Sequence, residues 1–270
     1  NFGGLDSVSY VVETDKGCQD SSNALVLVNS IPTASITPLS ATTFCSGDSL
    51  ILAANPRLPG TSYLWSDGSQ LDSLVVTSSG VYSVVVTSSM GCSDTLVQQT
   101  VRVNPIPEMS SILGPSSVCF GDSILLTNGT VKENGWKSWW RINDFDRNSE
   151  IDSLSGWLTG TDNFGGLDSV SYVVETDKGC IDSSLAYVKV NSSPILNPLT
   201  ICEGTQAAMN TQAPNGLWIS HNQVVATVDI NGNVYGQQAG NSIVTYIDPI
   251  TSCKDTALVT ISILPKLILN

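Results

Sequence analysis

Cysteine is the residue type whose spacing in this chain indicates a definite chemistry, the formation of disulfide bonds. The 270 residues include seven cysteines, at positions 18, 45, 92, 119, 180, 202 and 253. Two local patterns alternate along the chain. The first, Cys-x-Gly-Asp or Cys-x-Gly-Thr, contains what we call the opening cysteines, Cys45, Cys119 and Cys202. The second, Gly-Cys-x-Asp or Ser-Cys-x-Asp, contains the closing cysteines, Cys18, Cys92, Cys180 and Cys253.

The alternation of the two patterns predicts that each opening cysteine bonds to the next closing cysteine. The predicted pairs are Cys45–Cys92, Cys119–Cys180 and Cys202–Cys253, and the partner of Cys18 is expected before residue 1. Each bond closes a loop of some fifty residues, worth about 4 kcal/mol in the chain-entropy model. The alternative is seven buried free thiols. A zinc site is disfavoured because the chain has no Cys-x-x-Cys pair and a single histidine.

A second candidate site is a short acidic segment with alternating oxygen-bearing side chains. Asp144, Asp146 and Asn148 repeat the start of a calcium-binding loop. Ser149 stands at the sixth position, where an EF-hand needs glycine, and Ser155 stands at the twelfth, where it needs glutamate. The segment is therefore no EF-hand, and both calcium ligation and an ordinary solvated turn remain open.

Catalytic patterns are missing from the sequence. His221 is the single histidine, and the chain has no Gly-x-Ser-x-Gly motif to accompany it. Phe2-Gly3-Gly4 precedes a predicted strand rather than a helix, so it does not predict a phosphate loop. We therefore expect no enzyme activity and no cofactor.

Charge and composition exclude two classes of partner. The formal net charge is −13, and the 11 basic residues do not cluster, so the chain lacks the electrostatic footprint of a nucleic-acid-binding protein. No apolar run approaches 18 residues, so no membrane insertion is expected.

Short β-branched segments separated by turn residues predict an all-β fold.

An internal repeat organises these elements. Asn1–Cys18 recurs letter for letter as Asn163–Cys180. Apolar side chains at every second position and a turn ending in Gly17 predict a β-hairpin. Because a lone hairpin is marginally stable in water, we interpret the first copy as the end of a module that begins before residue 1. Its outward pair, Leu25 and Leu27, predicts a contact with a neighbour.

The repeat and the cysteine patterns together predict tandem β-sandwich modules with one disulfide each. Ser79-Gly80-Val81-Tyr82 predicts a tyrosine corner, and an even number of strands between Cys45 and Cys92 predicts that both cysteines lie at one pole of the sandwich. The predicted segments are a terminal hairpin (1–32), a module (33–105), a module with a tryptophan-rich insertion (106–193), a third module (194–265) and a linker or further module (266–270).

Four of the six tryptophans fall in the second module, at positions 136, 139, 140 and 157. Adjacent Trp139 and Trp140 must point to opposite faces of a strand. An exposed group of these rings would suit a carbohydrate-binding module, whereas buried rings would exclude that function.

Two resemblances extend these expectations. The segment from Leu217 to Gly240, with Trp218, Val225-Ala226 and Asp229, resembles the bacterial Ig-like group 2 domain. The other modules resemble the Ig-like repeats of giant type IX-secreted surface proteins of Bacteroidota. This resemblance is carried by Cys45-Ser-Gly-Asp-Ser-Leu, Tyr63-Leu-Trp-Ser-Asp-Gly, Ser79-Gly-Val-Tyr-Ser-Val, Gly91-Cys-Ser-Asp-Thr and Val103-Asn-Pro-Ile-Pro.

The second resemblance implies an extracellular, cell-surface location and a mechanical or adhesive role, as in gliding adhesins. It also implies O-glycosylation at Asp-Ser or Asp-Thr sites followed by an apolar residue. The matching residues are Ser7, Ser49, Ser73, Thr95, Ser123, Ser153, Ser169 and Thr256. Without glycans, these sites are ordinary turns at which a strand begins.

We therefore expect a disulfide-stapled segment of a very long secreted repeat protein, whose partners are other modules of the same chain. The alternatives are a multi-chain filament, in which copies of the chain meet through faces such as Leu25 and Leu27, and an array of carbohydrate-binding modules.

Overall fold

The computed structural model of the chain describes residues 3–144, 147–211 and 215–264. Every regular element in these residues is a β-strand, so the all-β class is confirmed. No helix in them is long and apolar enough to cross a membrane. The chain forms two compact units, Asn1–Ile106 and Pro107–Asn270.

The first unit begins with a long hairpin and continues with a sandwich. The hairpin consists of β1 (Gly4–Glu13) and β2 (Gln19–Val28). The first sandwich contains β3 (Ser35–Pro38), β4 (Thr43–Cys45), β5 (Leu50–Asn55), β6 (Ser62–Trp65), β7 (Ser73–Val76), β8 (Gly80–Thr87) and β9 (Ser93–Asn104). One sheet has the order β3-β5-β7 and the other β4-β9-β8-β6. Trp65 is buried between them and donates its indole N–H to the Leu71 carbonyl at 2.9 Å.

The second unit holds two more sandwiches. The second sandwich contains β10 (Ile112–Leu113), β11 (Ser117–Cys119), β12 (Ser123–Leu125), β13 (Thr127–Asn128), β14 (Lys137–Ile142), β15 (Ser149–Ile151), β16 (Trp157–Gly160), β17 (Gly166–Glu175) and β18 (Ile181–Asn191). The third contains β19 (Leu199–Cys202), β20 (Gln206–Ala208), β21 (Leu217–Ser220), β22 (Ala226–Val228), β23 (Asn233–Gly236), β24 (Gly240–Ile247) and β25 (Lys254–Ser262). Their main sheets have the orders β11-β18-β17-β14 and β19-β25-β24-β21.

A short parallel edge strand is common to the three sandwiches. β4, β11 and β19 run parallel to the last strand of their own sandwich, and each ends at an opening cysteine. These strands place Cys45 opposite Asn104, Cys119 opposite Asn191 and Cys202 opposite Ser262. Each opening cysteine therefore lies at the pole where the last strand ends.

This position corrects the predicted pair Cys45–Cys92. Cys92 directly precedes β9 and Cys45 lies opposite its last residue, so the two are separated by the length of a 12-residue strand, about 37 Å. The even strand count gave the wrong result because the segment 66–72 runs back from the end of β6 to the pole at which β6 began. There the chain enters the other sheet as β7. As a result β6 and β7 run in the same direction. Cys92 is a free thiol.

The predicted tyrosine corner is confirmed in the first sandwich. The Tyr82 hydroxyl donates to the Ser78 carbonyl at 2.9 Å. This bond fixes the turn between β7 and β8, which brings the chain from one sheet to the other.

The repeated sequence forms the same hairpin twice, in two environments. Gly4 pairs with Val28 in the first copy, and Gly166 pairs with Val190 in the second. In the second copy Val170 is completely buried and Tyr172 is 8% exposed. In the first copy the equivalent Val8 is 57% exposed and Tyr10 is 70% exposed. Local sequence therefore determines the hairpin and its register, whereas burial depends on the strands packed against it.

We predict that Val170→Ala destabilises the second sandwich by about 2 kcal/mol, because it removes two buried methyl groups and leaves a cavity. Val8→Ala, in an identical local sequence, is the matched control and is expected to change stability by less than about 0.5 kcal/mol. Denaturant unfolding followed by tryptophan fluorescence measures both. Equal effects of the two substitutions would contradict the assignment of the core.

Candidate functional site

The candidate functional site is the joint between the second and third sandwiches, where a disulfide crosses from one to the other. Cys119 is bonded to Cys253, with their Cα atoms 5.6 Å apart. The predicted pairs Cys119–Cys180 and Cys202–Cys253 are therefore wrong, because Cys119 of the second sandwich bonds to Cys253 of the third and Cys202 is a free thiol. Cys45 and Cys180 are also disulfide-bonded, whereas Cys18, Cys92 and Cys202 are free thiols.

Two turns present the bonded cysteines. The opening pattern is a tight turn, in which the Asp122 N–H donates to the Cys119 carbonyl and Gly121 has a φ of 81°. Glycine is suited to this position because other residues are strained at positive φ. The closing pattern lies in the turn between β24 and β25, where the Asp248 N–H donates to the Cys253 carbonyl at 2.8 Å. Both cysteines are thus held by backbone hydrogen bonds at the ends of strands.

The aspartate of the closing pattern fastens the linker between the sandwiches. The Leu196 N–H donates to a carboxylate oxygen of Asp255 at 2.7 Å. The same bond occurs in the first unit, where the Ala34 N–H donates to Asp94 at 2.8 Å. Leu196 lies five residues after Asn191, and Ala34 lies five residues after Asn29, so the two joints have the same spacing. Both aspartates belong to the Cys-x-Asp pattern, but their bond to the linker cannot be recognised from the sequence around them.

The described residues of the acidic segment, Asp144 and Asn148, form hydrogen bonds with β17. The carboxylate of Asp144 accepts bonds from the backbone and hydroxyl of Ser169, and these bonds lower its pKa below the ordinary value. Asn148 donates its side-chain amide to Asp168 at 2.8 Å, and the Ser149 hydroxyl donates to the same carboxylate. Asp146 lies outside the described residues. Within the described residues no group of three or more His, Cys, Asp or Glu side chains is arranged to hold a metal ion.

Asp168 is the central residue of this network and was missed by sequence reasoning. It is completely buried, and its carboxylate accepts bonds from the Asn148 backbone, the Asn148 amide and the Ser149 hydroxyl. Its counterpart Asp6 has identical neighbours in sequence but is exposed, and it accepts a bond from the next N–H, that of Ser7. No local signal distinguishes the two aspartates, because the difference comes from the segment that contains Asn148.

Three further aspartates act as turn caps. The pKa of Asp229 is lowered chiefly by bonds from Asn233, that of Asp152 by bonds from Ser155, and that of Asp248 by the Thr251 N–H. A depressed carboxyl pKa stabilises the fold at pH values above the ordinary value of about 3.9. That contribution is lost as the pH falls through the lowered pKa, so these turns weaken in acid.

The tryptophans of the second sandwich do not form a shared exposed surface. Trp140 is buried and contacts Tyr172 with ring centroids 4.8 Å apart, and Trp136 is half-buried against the same core. Trp139 is half-buried, so it and Trp140 differ in burial as alternation requires. Trp157 is 50% exposed. Of the four rings only Trp157 is exposed, so they do not supply the group of exposed rings that a carbohydrate-binding module requires.

His221 makes only structural contacts among the hydrogen bonds of the described residues. The residue is exposed, and its ring Nε2 lies 2.8 Å from the Thr245 hydroxyl. Its backbone N–H donates to the Ile243 carbonyl. Neither a carboxylate nor a cysteine contacts the ring among the hydrogen bonds of the described residues.

The candidate O-glycosylation residues divide by exposure. Ser7, Ser49, Ser123, Ser153 and Thr256 are exposed, whereas Ser73 and Ser169 are half-buried. The Ser169 hydroxyl donates to Asp144 at 2.8 Å, which occupies the group that a sugar would modify. The side chain of Thr95 lies outside the described residues.

Comparisons with known proteins found similar solved structures at low sequence identity. No protein-family model matches the chain, and no curated protein matches it. Among solved structures, a titin I-band fragment (I67–I69) is 11% identical, with 88% of this chain and 100% of that chain covered, at a TM-score of 0.37. Invasin, a bacterial integrin-binding protein, is 14% identical, with 96% of this chain and 65% of the invasin chain covered, at a TM-score of 0.37. A D1–D4 ectodomain fragment of ICAM-5 is 10% identical, with 96% of this chain and 83% of that chain covered, at a TM-score of 0.42.

The sheet orders and the tyrosine corner are those of immunoglobulin-like domains. The chain is thus a tandem array of Ig-like β-sandwich modules.

We predict that Asp168→Ala destabilises the second sandwich by about 3 kcal/mol, because it leaves the buried donors of Asn148 and Ser149 without their acceptor. Asp6→Ala, at the same place in the identical repeat, is the control and should have an effect of less than about 0.5 kcal/mol. The free energy of unfolding in denaturant measures both. A mild effect at Asp168 would contradict a structural role for its carboxylate.

Proposed function

We propose that this chain is a structural segment of a secreted cell-surface repeat protein, in which stapled Ig-like modules form a stalk that carries or constitutes an adhesive element. The observation that carries this proposal is the disulfide between Cys119 and Cys253, which joins two modules covalently at their joint. A bond inside one module would stabilise that module alone. A bond across the joint also resists separation of the modules, which is useful in a protein that transmits force.

The joint contains two further features that limit bending. Asp255 fastens the linker through the Leu196 N–H, and the linker contains Pro194 and Pro198. Proline restricts the backbone and stiffens a short connection. The joint is therefore held by a covalent bond, a charge-assisted hydrogen bond and a restrained linker.

Disulfide bonds support an extracellular location, because they persist in oxidising compartments. Export by the type IX route, a place on the surface of a bacterium of the Bacteroidota and a part in gliding are finer elements of the proposal. They rest on the resemblance of the repeats described above. The adhesive element is expected to act through partners on another surface.

The disulfide has a mechanical consequence that can be measured directly. When the chain is pulled from its ends, force passes through the bond and bypasses the residues enclosed by it. The sequence separation is 134 residues, which in extended form corresponds to a length of about 450 Å. The oxidised protein should therefore extend far less than the reduced protein.

We predict the effect for a parent chain that carries Cys45→Ser and Cys180→Ser, so that Cys119–Cys253 is its only disulfide. Single-molecule stretching of this parent should show about 450 Å of additional contour length after reduction or after the further substitution Cys119→Ser. Cys202→Ser, which removes a free thiol, is the matched control and should extend like the oxidised parent. Identical extension of the parent and the Cys119→Ser variant under oxidising conditions would refute the proposed mechanical role of the joint.

O-glycosylation remains part of the proposal for the exposed sites. We predict that peptide mass spectrometry of the secreted protein finds added sugar mass at Ser7 but none at Ser169. Both stand in the sequence Asp-Ser-Val, but the Ser169 hydroxyl is occupied by Asp144. Sugar at Ser169 and not at Ser7 would contradict exposure as the determinant, and bare peptides at all sites would remove glycosylation from the proposal.

A further inference from the structure

The hairpin β1–β2 presents an uncovered apolar face whose counterpart is completely buried. Val8, Tyr10 and Val12 are exposed, whereas Val170, Tyr172 and Val174 are buried in the core of the second sandwich. An exposed apolar face of this extent marks a binding surface.

The core-facing residues of the two hairpins are the same. β1 and β17 are identical throughout, and β2 differs from β18 at Gln19, Asn23, Leu25 and Leu27, which all lie on the outward face. On the inward face, Asp20, Ser22, Ala24, Val26 and Val28 equal Asp182, Ser184, Ala186, Val188 and Val190. A surface that packs on β17–β18 therefore also fits β1–β2. In the second sandwich that surface belongs to residues 107–162, which we call the first half-sandwich.

Backbone hydrogen bonding gives a second sign that a strand belongs beside β2. In each complete sandwich, the residue after the opening cysteine donates its N–H to the carbonyl of the residue paired with that cysteine. These bonds are Ser46 to Asn104 (2.8 Å), Phe120 to Asn191 (2.9 Å) and Glu203 to Ser262 (2.9 Å). Asn29 is the counterpart of Asn191 in the first repeat, and the thiol of Cys92 lies 3.9 Å from its carbonyl oxygen.

The position of Cys92 repeats that of Cys253. Each lies two residues before the aspartate that fastens the linker, Asp94 and Asp255. Cys253 is bonded to the opening cysteine opposite Asn191, and Cys92 lies beside Asn29, where an opening cysteine of the hairpin's own module would lie. In the described residues, no first half-sandwich that could supply this cysteine lies against β1–β2.

We propose that the hairpin and Cys92 together form an acceptor site for a first half-sandwich of the type formed by residues 107–162. The occupant is a preceding segment of the same polypeptide, whose edge strand pairs parallel to β2 and ends in a cysteine that bonds to Cys92. The two thiols lose two protons and two electrons, which pass to a disulfide oxidant that is thereby reduced to two thiols. This inference does not depend on the proposed adhesive function.

A second copy of the chain does not supply the occupant. Each first half-sandwich in the described residues is already paired with the last two strands of its own sandwich. Donation from another copy would require that copy to unfold a module.

The test is a chimera in which residues 107–162 are placed directly before Asn1 of the full chain. Residues 163–180 equal residues 1–18, so the graft rebuilds the natural junction of the second sandwich. The protein is folded in a mixture of reduced and oxidised glutathione, and the peptides are mapped without reduction. The grafted tryptic peptide begins at Pro107 rather than after Arg102, so its mass distinguishes it from the native one.

We expect the grafted cysteine to be linked to Cys92, and binding of an apolar-surface dye to fall several-fold relative to the unmodified chain. In a chimera with Cys92→Ser, the dye signal should remain low and the link should be lost, which separates docking from bonding. The Cys119–Cys253 bond is the internal control. A link to Cys18, an unlinked graft, or a Cys92-linked dimer of the unmodified chain would overturn the proposal.

Discussion

The parallel pairing of one short edge strand with the last strand of its sandwich determines where every opening cysteine lies. Because β11 runs beside the end of β18, Cys119 lies at the pole from which the chain leaves for the next module. The closing cysteine of that next module lies at the pole where its chain enters. The two residues therefore meet at a joint, and a bond inside one module would have to span the whole sandwich. The inter-module staple follows from chain direction alone.

Much of the fold could be predicted from the sequence. The alternation of apolar residues predicted both copies of the hairpin, and Gly17 and Tyr82 marked turns that the structure contains. These features are local, so the sequence around them is sufficient. The disulfide partners were not local. The strand count placed Cys45 and Cys92 at one pole because it did not include the passage of segment 66–72 from one sheet to the other, which leaves β6 and β7 running in the same direction.

The repeated 18 residues show the limit of local inference with unusual clarity. One sequence forms one hairpin with one register, yet Asp168 is the buried centre of a hydrogen-bond network whereas Asp6 is solvated. The same holds for the valines and the tyrosine of the strand. Backbone conformation was therefore predictable from the residues themselves, whereas burial, and the roles that depend on it, came from segments far away in the chain.

The joint disulfide also changes how the two modules recover after they have been opened. Because Cys119 and Cys253 are bonded, the residues between them form a closed ring, and the ends of β11 and of the β24–β25 turn cannot drift apart. Strands that must find each other start at a high effective concentration, and the loop-closure entropy of their pairing is already reduced. A ring of this kind returns to its native pairing more readily than a linear chain, so the segment is suited to repeated cycles of opening and refolding.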